Sequence, residues 1–262
     1  MKNRSLIFIP AKEKTLSKLG QLGSDQYIVD LEDSIGEQDK EKALQETISV
    51  LQDANIQQVY VRLNKPRYKE EALLLDSIDG LGFMLPKFEE VIEYQDLYEI
   101  WSKHPVIALI ETPKGIINID EIVKCNWIDS IAFGAEDYTA AVNMENSYQK
   151  LSYQKSVLIT YAKAYKKKVY DTPSFQLNDI DKLTEEISDS VSLGFDGKLA
   201  IHPKQIEIIN SLFSAYDIDY LKKVVSAYEQ QENAVMVYEG KPYEKMHIAR
   251  FKRIIKENGG EK

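Results

Sequence analysis

Only one cysteine occurs among the 262 residues, so no internal disulfide can form, which fits a reducing cytoplasm. That residue, Cys125, closes a helix-like segment, IDEIVKCNW, where simple packing accounts for it better than nucleophilic chemistry. Long hydrophobic runs are also missing. None approaches a membrane span, and the N-terminal MKNRSLIFIPAKEK holds an apolar run too brief for a signal peptide. A soluble cytoplasmic protein, with no membrane partner, is expected. Positive charge is in deficit: 33 Lys and Arg stand against 42 Asp and Glu, a formal net charge of −9. Non-specific nucleic-acid binding needs a basic face that displaces counterions, so this balance argues against a nucleic-acid partner. It sets no limit on small anionic substrates, which one or two arginines in a cleft can hold. No GxGxxG follows the first apolar run and no GxxxxGK[ST] occurs, so dinucleotide and P-loop sites have no support.

Hydrophobic residues nevertheless make up 44% of the chain, enough for a substantial core. Short apolar runs recur every two or three dozen residues: 6–10, 26–33, 59–64, 82–87, 106–111, 130–137, 167–173 and 197–203. Each is near-continuously apolar, as strands of a parallel sheet covered on both faces should be. Between them lie charged segments with helical spacing, such as 39–54, 89–103 and 178–194, the last opening on an Asn178 cap and stopping at Gly194. Eight alternations of strand and helix predict an α/β fold, a (β/α)8 TIM barrel over residues 1–213. Residues 214–262 read as a C-terminal helical extension: a helix over 217–233, a turn at EGKP and a basic helix over 244–257.

Barrel chemistry sits at the carboxyl ends of the strands. Those ends carry Asp30, Glu32, Asp33, Arg62, Asn64, Lys87, Glu111, Glu136, Asp137, Asp171 and His202, an acidic mouth with one arginine and one lysine. Carboxylates crowded at one mouth repel each other unless a cation or protons intervene. Glu111 and Asp137 end neighbouring strands about 4.8 Å apart, so both can reach one divalent ion. Mg2+ suits them, since it takes one or two carboxylates and completes its octahedron with water and substrate oxygens. The alternative is that both acids merely start helices. Arg62, inside an apolar run, requires an acid: a structural one such as Glu32 or Asp33, or a substrate carboxylate gripped by the guanidinium fork. Glu32 and Asp33 also suit helix capping, Asp30 the barrel interior, and Lys87 an anion or Glu111. His202 reads as a packed, hydrogen-bonded residue, and Lys166, Lys167 and Lys168 as a solvated helix end.

The strings RSLIFIP, DLEDSI, VRLN, MLPK, ALIETPKG, AFGAEDY and LGFDGKLAIHPKQ, in this order through residues 4–213, resemble the citrate lyase β-subunit and malyl-CoA lyase proteins of the HpcH/HpaI aldolase superfamily. The resemblance implies a β/α barrel that makes or breaks a carbon–carbon bond between an acyl thioester and a 2-oxo acid such as oxaloacetate or glyoxylate, using Mg2+. By position, it makes Glu111 and Asp137 the metal ligands and Arg62 the holder of the substrate carboxylate. Asp33 becomes an active-site acid, and the amides of Ala135, Glu136 and Asp137 cradle the oxo acid. It also implies a coenzyme A or acyl-carrier thioester, a homotrimer or hexamer, and partner subunits of a lyase complex. Two positions depart from the family. Ala11 replaces a glycine near the coenzyme A site, where Lys12 and Lys14 remain to meet phosphates. Glu244 stands where relatives carry an acid/base aspartate reaching a neighbouring subunit's site. Related readings are a pyruvate-type aldolase, a thioester hydrolase, and a catalytically silent metabolite-binding or complex subunit.

Overall fold

The computed structural model describes residues 3–53, 58–145, 148–214, 218–231 and 233–258. The chain divides into two compact units, Met1–Leu212 and Phe213–Lys262. In the first, β1 (Ser5–Pro10), β2 (Gln26–Asp30), β3 (Val59–Arg62), β4 (Leu81–Leu85), β5 (Val106–Ile110), β6 (Ser130–Phe133), β7 (Lys168–Asp171) and β8 (Gly197–Ala200) close a parallel barrel in sequence order. Closure runs through Ser5 beside Lys198 and Leu6 beside Leu199. The eight expected strands are all present, with Asp30, Arg62 and Asp171 as the last residues of β2, β3 and β7 and the other polar strand-end residues just beyond them.

Side chains alternate along a strand, so the phase of each strand decides what enters the barrel. Leu6, Ile28, Tyr60, Met84, Ile107, Leu109, Ala132, Tyr170 and Leu199 form one interior cluster, with Phe8 packed against it. Val29, Val61, Phe83, Ala108, Ile131 and Val169, of the opposite phase, are equally buried beneath the helices. Burial on both faces explains the unbroken apolar runs. Continuing the inward phase towards the carboxyl ends brings Asp30, Arg62, Glu111 and Gly134 into the layer above the cluster.

The same rule corrects one expectation. Tyr170 points inward, so Asp171 points outward, away from the mouth. It is fully buried, and it accepts bonds from Lys198 at 2.7 Å and Ser190 at 2.6 Å and pairs with Lys155 at 3.0 Å. Lys155 comes from the helix Ser152–Ala164 and Ser190 from Ile180–Leu193, so one carboxylate ties two helices to β7 and β8. Burial works to raise the Asp171 carboxyl, but Lys198 and Lys155 override it and lower its pKa to about 2. Burial also pushes Lys155 down to about 8, against the pull of Asp171.

Helices differ from expectation in detail. Residues 40–53 form the expected helix after a short 3-10 turn at Glu37–Asp39; Ala54, its expected last residue, lies outside the described residues. Over 89–103 the chain is mostly a 3-10 helix, Val91–Leu97, followed by Tyr98–Trp101. There Tyr94 stacks on Phe88 at 4.6 Å and its carbonyl takes the Trp101 indole N–H at 2.8 Å, which fits the tighter coil. The cap of Ile180–Leu193 is Asp179, not Asn178: its carboxylate accepts the Lys182 N–H at 3.0 Å. Gly194 closes that helix in the left-handed conformation, φ +103°, as expected.

In the second unit the two expected helices are Ile218–Glu229 and Lys245–Asn258, residues 217 and 232 lying outside the described set. EGKP is more than a turn. It joins β9 (Val235–Tyr238) to β10 (Lys241–Glu244) as an antiparallel hairpin, so the extension is not purely helical. Met236 and Tyr243 face inward with Val224, Val225 and Ile248, while Val235 and Val237 point outward, the alternation of a half-buried ribbon.

Replacing Asp171 with alanine would leave two buried ammonium groups without their carboxylate. A loss of about 3–5 kcal/mol in urea unfolding is expected; a loss below about 1 kcal/mol would contradict this account of the cluster.

Candidate functional site

The inward phase of β2 and β3 sets the first pair. Asp30 accepts the Arg62 Nε–H at 2.7 Å, and its two oxygens also take the backbone N–H groups of Glu32 at 3.0 Å and Ser34 at 3.1 Å. One carboxylate thus aims the guanidinium and folds the loop after β2. Arg62 Nη1 then lies 3.2 Å from Glu32 and 3.0 Å from Asp33, and its carbon sits 4.9 Å from the centre of the Phe8 ring. Among the described residues Nη2 has no ion-pair or hydrogen-bond partner. Burial works against the charge on Arg62, yet Asp30, Glu32 and Asp33 outweigh it and raise its pKa. Glu32 and Asp33, expected partners, do meet Arg62; Asp30 makes the shortest bond and was legible only from strand phase.

Lys87 follows β4 in a left-handed conformation, φ +47°, uncommon for a residue with a β-carbon. Its backbone N–H donates to Glu111 Oε1 at 2.8 Å, while its ammonium lies 3.4 Å from Glu32. The backbone thus makes the bond to Glu111 that was expected of the side chain. Burial lowers the Lys87 ammonium, but Glu32, Asp137, Glu111 and Asp33 together raise it further.

Glu111 is the buried acid of the mouth, 2% exposed. Loss of hydration raises its pKa to about 8, with further push from the charges of Asp137 and Glu32. Its neighbour across the ladder is Gly134, whose N–H bonds Ile110 O at 3.0 Å. A β-carbon there would lie 2.5 Å from Glu111 Oε2 and 2.6 Å from its Cβ, so only glycine admits this carboxylate. Asp137 stands half-buried in the first turn of the helix Ala135–Ala141, and Glu136 is exposed beside it. The Ala135 amide already donates to Thr172 Oγ1 at 3.2 Å, which leaves the expected cradle to Glu136 and Asp137.

The remaining residues have local surroundings of their own. Lys12 is exposed and opens the helix Glu13–Leu16; with Ala11, Lys14, Ile35, Gly36 and Lys42 it borders a groove of about 400 Å³. His202 is half-buried, and its Nδ1 accepts the Lys204 N–H at 3.2 Å, a capping role. Lys167 is not simply solvated: it donates to the carbonyls of Cys125 at 3.1 Å and Ile128 at 2.5 Å. Burial raises the Cys125 thiol, which makes it a poor nucleophile. Glu244, exposed in the second unit, ends the hairpin, where its backbone N–H donates to His247 Nδ1 at 3.0 Å.

Five carboxylates therefore share the rim with two cations. Among the described residues no group of three or more His, Cys, Asp or Glu side chains converges as a finished metal cage. The donors fit Mg2+ nonetheless. Glu111 and Asp137 would offer hard oxygen donors, and a cation beside them would offset the lost hydration and the repulsion by Asp137 that together raise the Glu111 carboxyl.

The sequence pattern of the HpcH/HpaI aldolase/citrate lyase family matches residues 4–203. Citrate lyase subunit beta of Leuconostoc mesenteroides subsp. cremoris is 29% identical, the alignment covering 97% of this chain and 92% of that protein. A (3S)-malyl-CoA thioesterase of Cereibacter sphaeroides is 27% identical, with 96% and 93% covered. The solved structure of the citrate lyase beta subunit from Mycobacterium tuberculosis, complexed with oxaloacetate and magnesium, matches with a TM-score of 0.69 at 25% identity, over 81% of this chain and 97% of that one.

The raised pKa of Glu111 makes stability depend on pH. Unfolded, the carboxyl releases its proton near 4.5; folded, it keeps it to about 8. Its contribution is complete below the lower value and is lost as pH rises through the upper one. In chelator, the urea midpoint should decline across this window, and Glu111→Gln, which stays neutral, should remove the decline. Identical profiles for both proteins would contradict the assignment.

Proposed function

The chain belongs to the HpcH/HpaI aldolase/citrate lyase family, and from that premise we propose that it is a Mg2+-dependent carbon–carbon lyase. Its substrate is a 3-hydroxyacyl thioester of coenzyme A or a carrier protein, cleaved to an acyl thioester and a 2-oxo acid such as oxaloacetate or glyoxylate, or formed from them. The observation that carries this reading is the buried Glu111, paired electrostatically with Asp137 and set beside an arginine held in place from below.

Glu111 and Asp137 would hold the ion, which when bound supplies Lewis-acid polarisation of the oxo group. Arg62 grips the substrate carboxylate, using the Nη2 edge that the rim leaves open and the Nη1 edge that the exposed Asp33 shares. Asp30 and Phe8 keep the guanidinium plane fixed while it does so. Asp33, 59% exposed and beside Arg62, is the carboxylate that takes the hydroxyl proton. The C–C bonding electrons pass to the thioester carbonyl as an enolate, which a solvent proton quenches. Lys12 and Lys14 would meet the phosphates of the thioester carrier from the groove they share with Lys42, which Glu13, Asp39 and Glu46 also line.

A second reading is thioester hydrolysis, the activity named for the Cereibacter relative. A panel of citryl, malyl and methylmalyl thioesters separates the two. The lyase reading expects Mg2+-dependent release of a 2-oxo acid, reduced by about 10²–10³ in Glu111→Gln or Asp137→Asn. Arg62→Lys should act mainly on the KM of the oxo acid in the condensing direction. Free thiol released with the hydroxy acid intact would support hydrolysis instead.

A further inference from the structure

Behind the rim lies a second polar chain that touches neither Glu111 nor Asp137. Lys40 starts the helix Lys40–Asp53 and is buried. An ammonium group has three donors, and three oxygens receive them: the carbonyls of Leu31 at 3.0 Å and Glu32 at 2.8 Å, and Asn64 Oδ1. Asn64, which follows β3, is 2% exposed. Its own orientation is set by Glu71, from the helix Tyr68–Leu75 and 1% exposed. A carboxylate can only accept, and Glu71 takes both the Asn64 backbone N–H at 2.8 Å and its side-chain N–H at 2.5 Å. The amide oxygen must then turn towards Lys40. Glu71 thus fixes Asn64, Asn64 fixes Lys40, and Lys40 fixes the carbonyls of residues 31 and 32.

Those carbonyls belong to the loop whose other side Asp30 holds through the N–H groups of Glu32 and Ser34. The loop is therefore clamped from both sides, and it carries Glu32 and Asp33, which flank Arg62 Nη1, and Glu32, which faces the Lys87 ammonium. Three strand ends and two helix starts meet in this one arrangement. Burying a lysine without a direct carboxylate is costly; the countercharge here is Glu71, one amide away.

We propose that Lys40, oriented by Asn64 and Glu71, is a positioning residue that sets the Leu31–Ser34 loop and, through Glu32 and Asp33, the Arg62 guanidinium against the oxo-acid carboxylate. This rests on the reading of Arg62 as the carboxylate-binding group. Lys40 touches no reacting atom; it acts on affinity for one substrate, not on the bond-breaking step.

The test uses the full chain with Lys40→Met and, as a milder change, Glu71→Gln, which retains size but replaces one acceptor with a donor facing Asn64. Amide hydrogen exchange without ligand should accelerate over residues 31–34 by about tenfold or more, with the barrel strands unchanged. In the condensing direction the KM of the oxo acid, and its Kd by calorimetry with Mg2+, should rise about tenfold, while kcat and the KM of the thioester move less than about threefold. A purely structural role would lower the melting temperature and leave that split absent. Unchanged exchange over 31–34 in whichever variant folds overturns the inference, as does unchanged oxo-acid affinity. If the wild type itself binds no 2-oxo acid, the lyase reading fails, and the exchange measurement still decides whether the clamp exists.

Discussion

Glu111 cannot be charged cheaply where it stands: it has lost its water, and Asp137 and Glu32 add their own negative fields. Much of the upper barrel is arranged around that difficulty. The Lys87 backbone bends into a left-handed conformation and gives its N–H to one oxygen. Gly134 gives up a side chain so that the other oxygen has room. Arg62, with its charge pinned by Asp30, supplies a fixed positive field on the facing strands. A carboxylate pair in such surroundings favours a proton or a cation, and under the proposed reading the choice between them would link pH, metal and substrate in a single site.

A second ionic cluster, again an aspartate between buried cations and strand ends, does something quite different. Asp171 with Lys155 and Lys198 lies on the outward phase of its strands, sealed under helices. Asp30 with Arg62 lies on the inward phase and opens to the mouth. One residue of strand phase separates a group that holds helices to the barrel from the group proposed to hold a ligand. The division matches the general behaviour of barrels, in which chemistry collects at the carboxyl ends and buried ties elsewhere serve stability.

Reading residues in order made much of this legible. Eight apolar runs announced eight strands, and Glu111, Asp137 and Arg62 were singled out by their place at strand ends. What escaped was of two kinds. The end of the run 167–173 places Asp171 at the mouth, but its phase does not: with Tyr170 inside the barrel, alternation puts Asp171 outside. The chain Glu71–Asn64–Lys40 could not be read at all, since its members are 24 and 7 residues apart and each alone is an ordinary helix-start lysine, loop amide or helix glutamate. The hairpin at 235–244 was hidden by its shortness and by Pro242, which demotes a run as a strand.

The central claim is that Glu111 and Asp137 jointly accept one divalent ion. Crystals soaked in Mn2+, an anomalous scatterer that shares the oxygen preference of Mg2+, test it without any assay of turnover. The account predicts a peak between the two carboxylates, within bonding distance of both. A peak elsewhere on the barrel, or none between these residues in crystals that bind the 2-oxo acid, would contradict it.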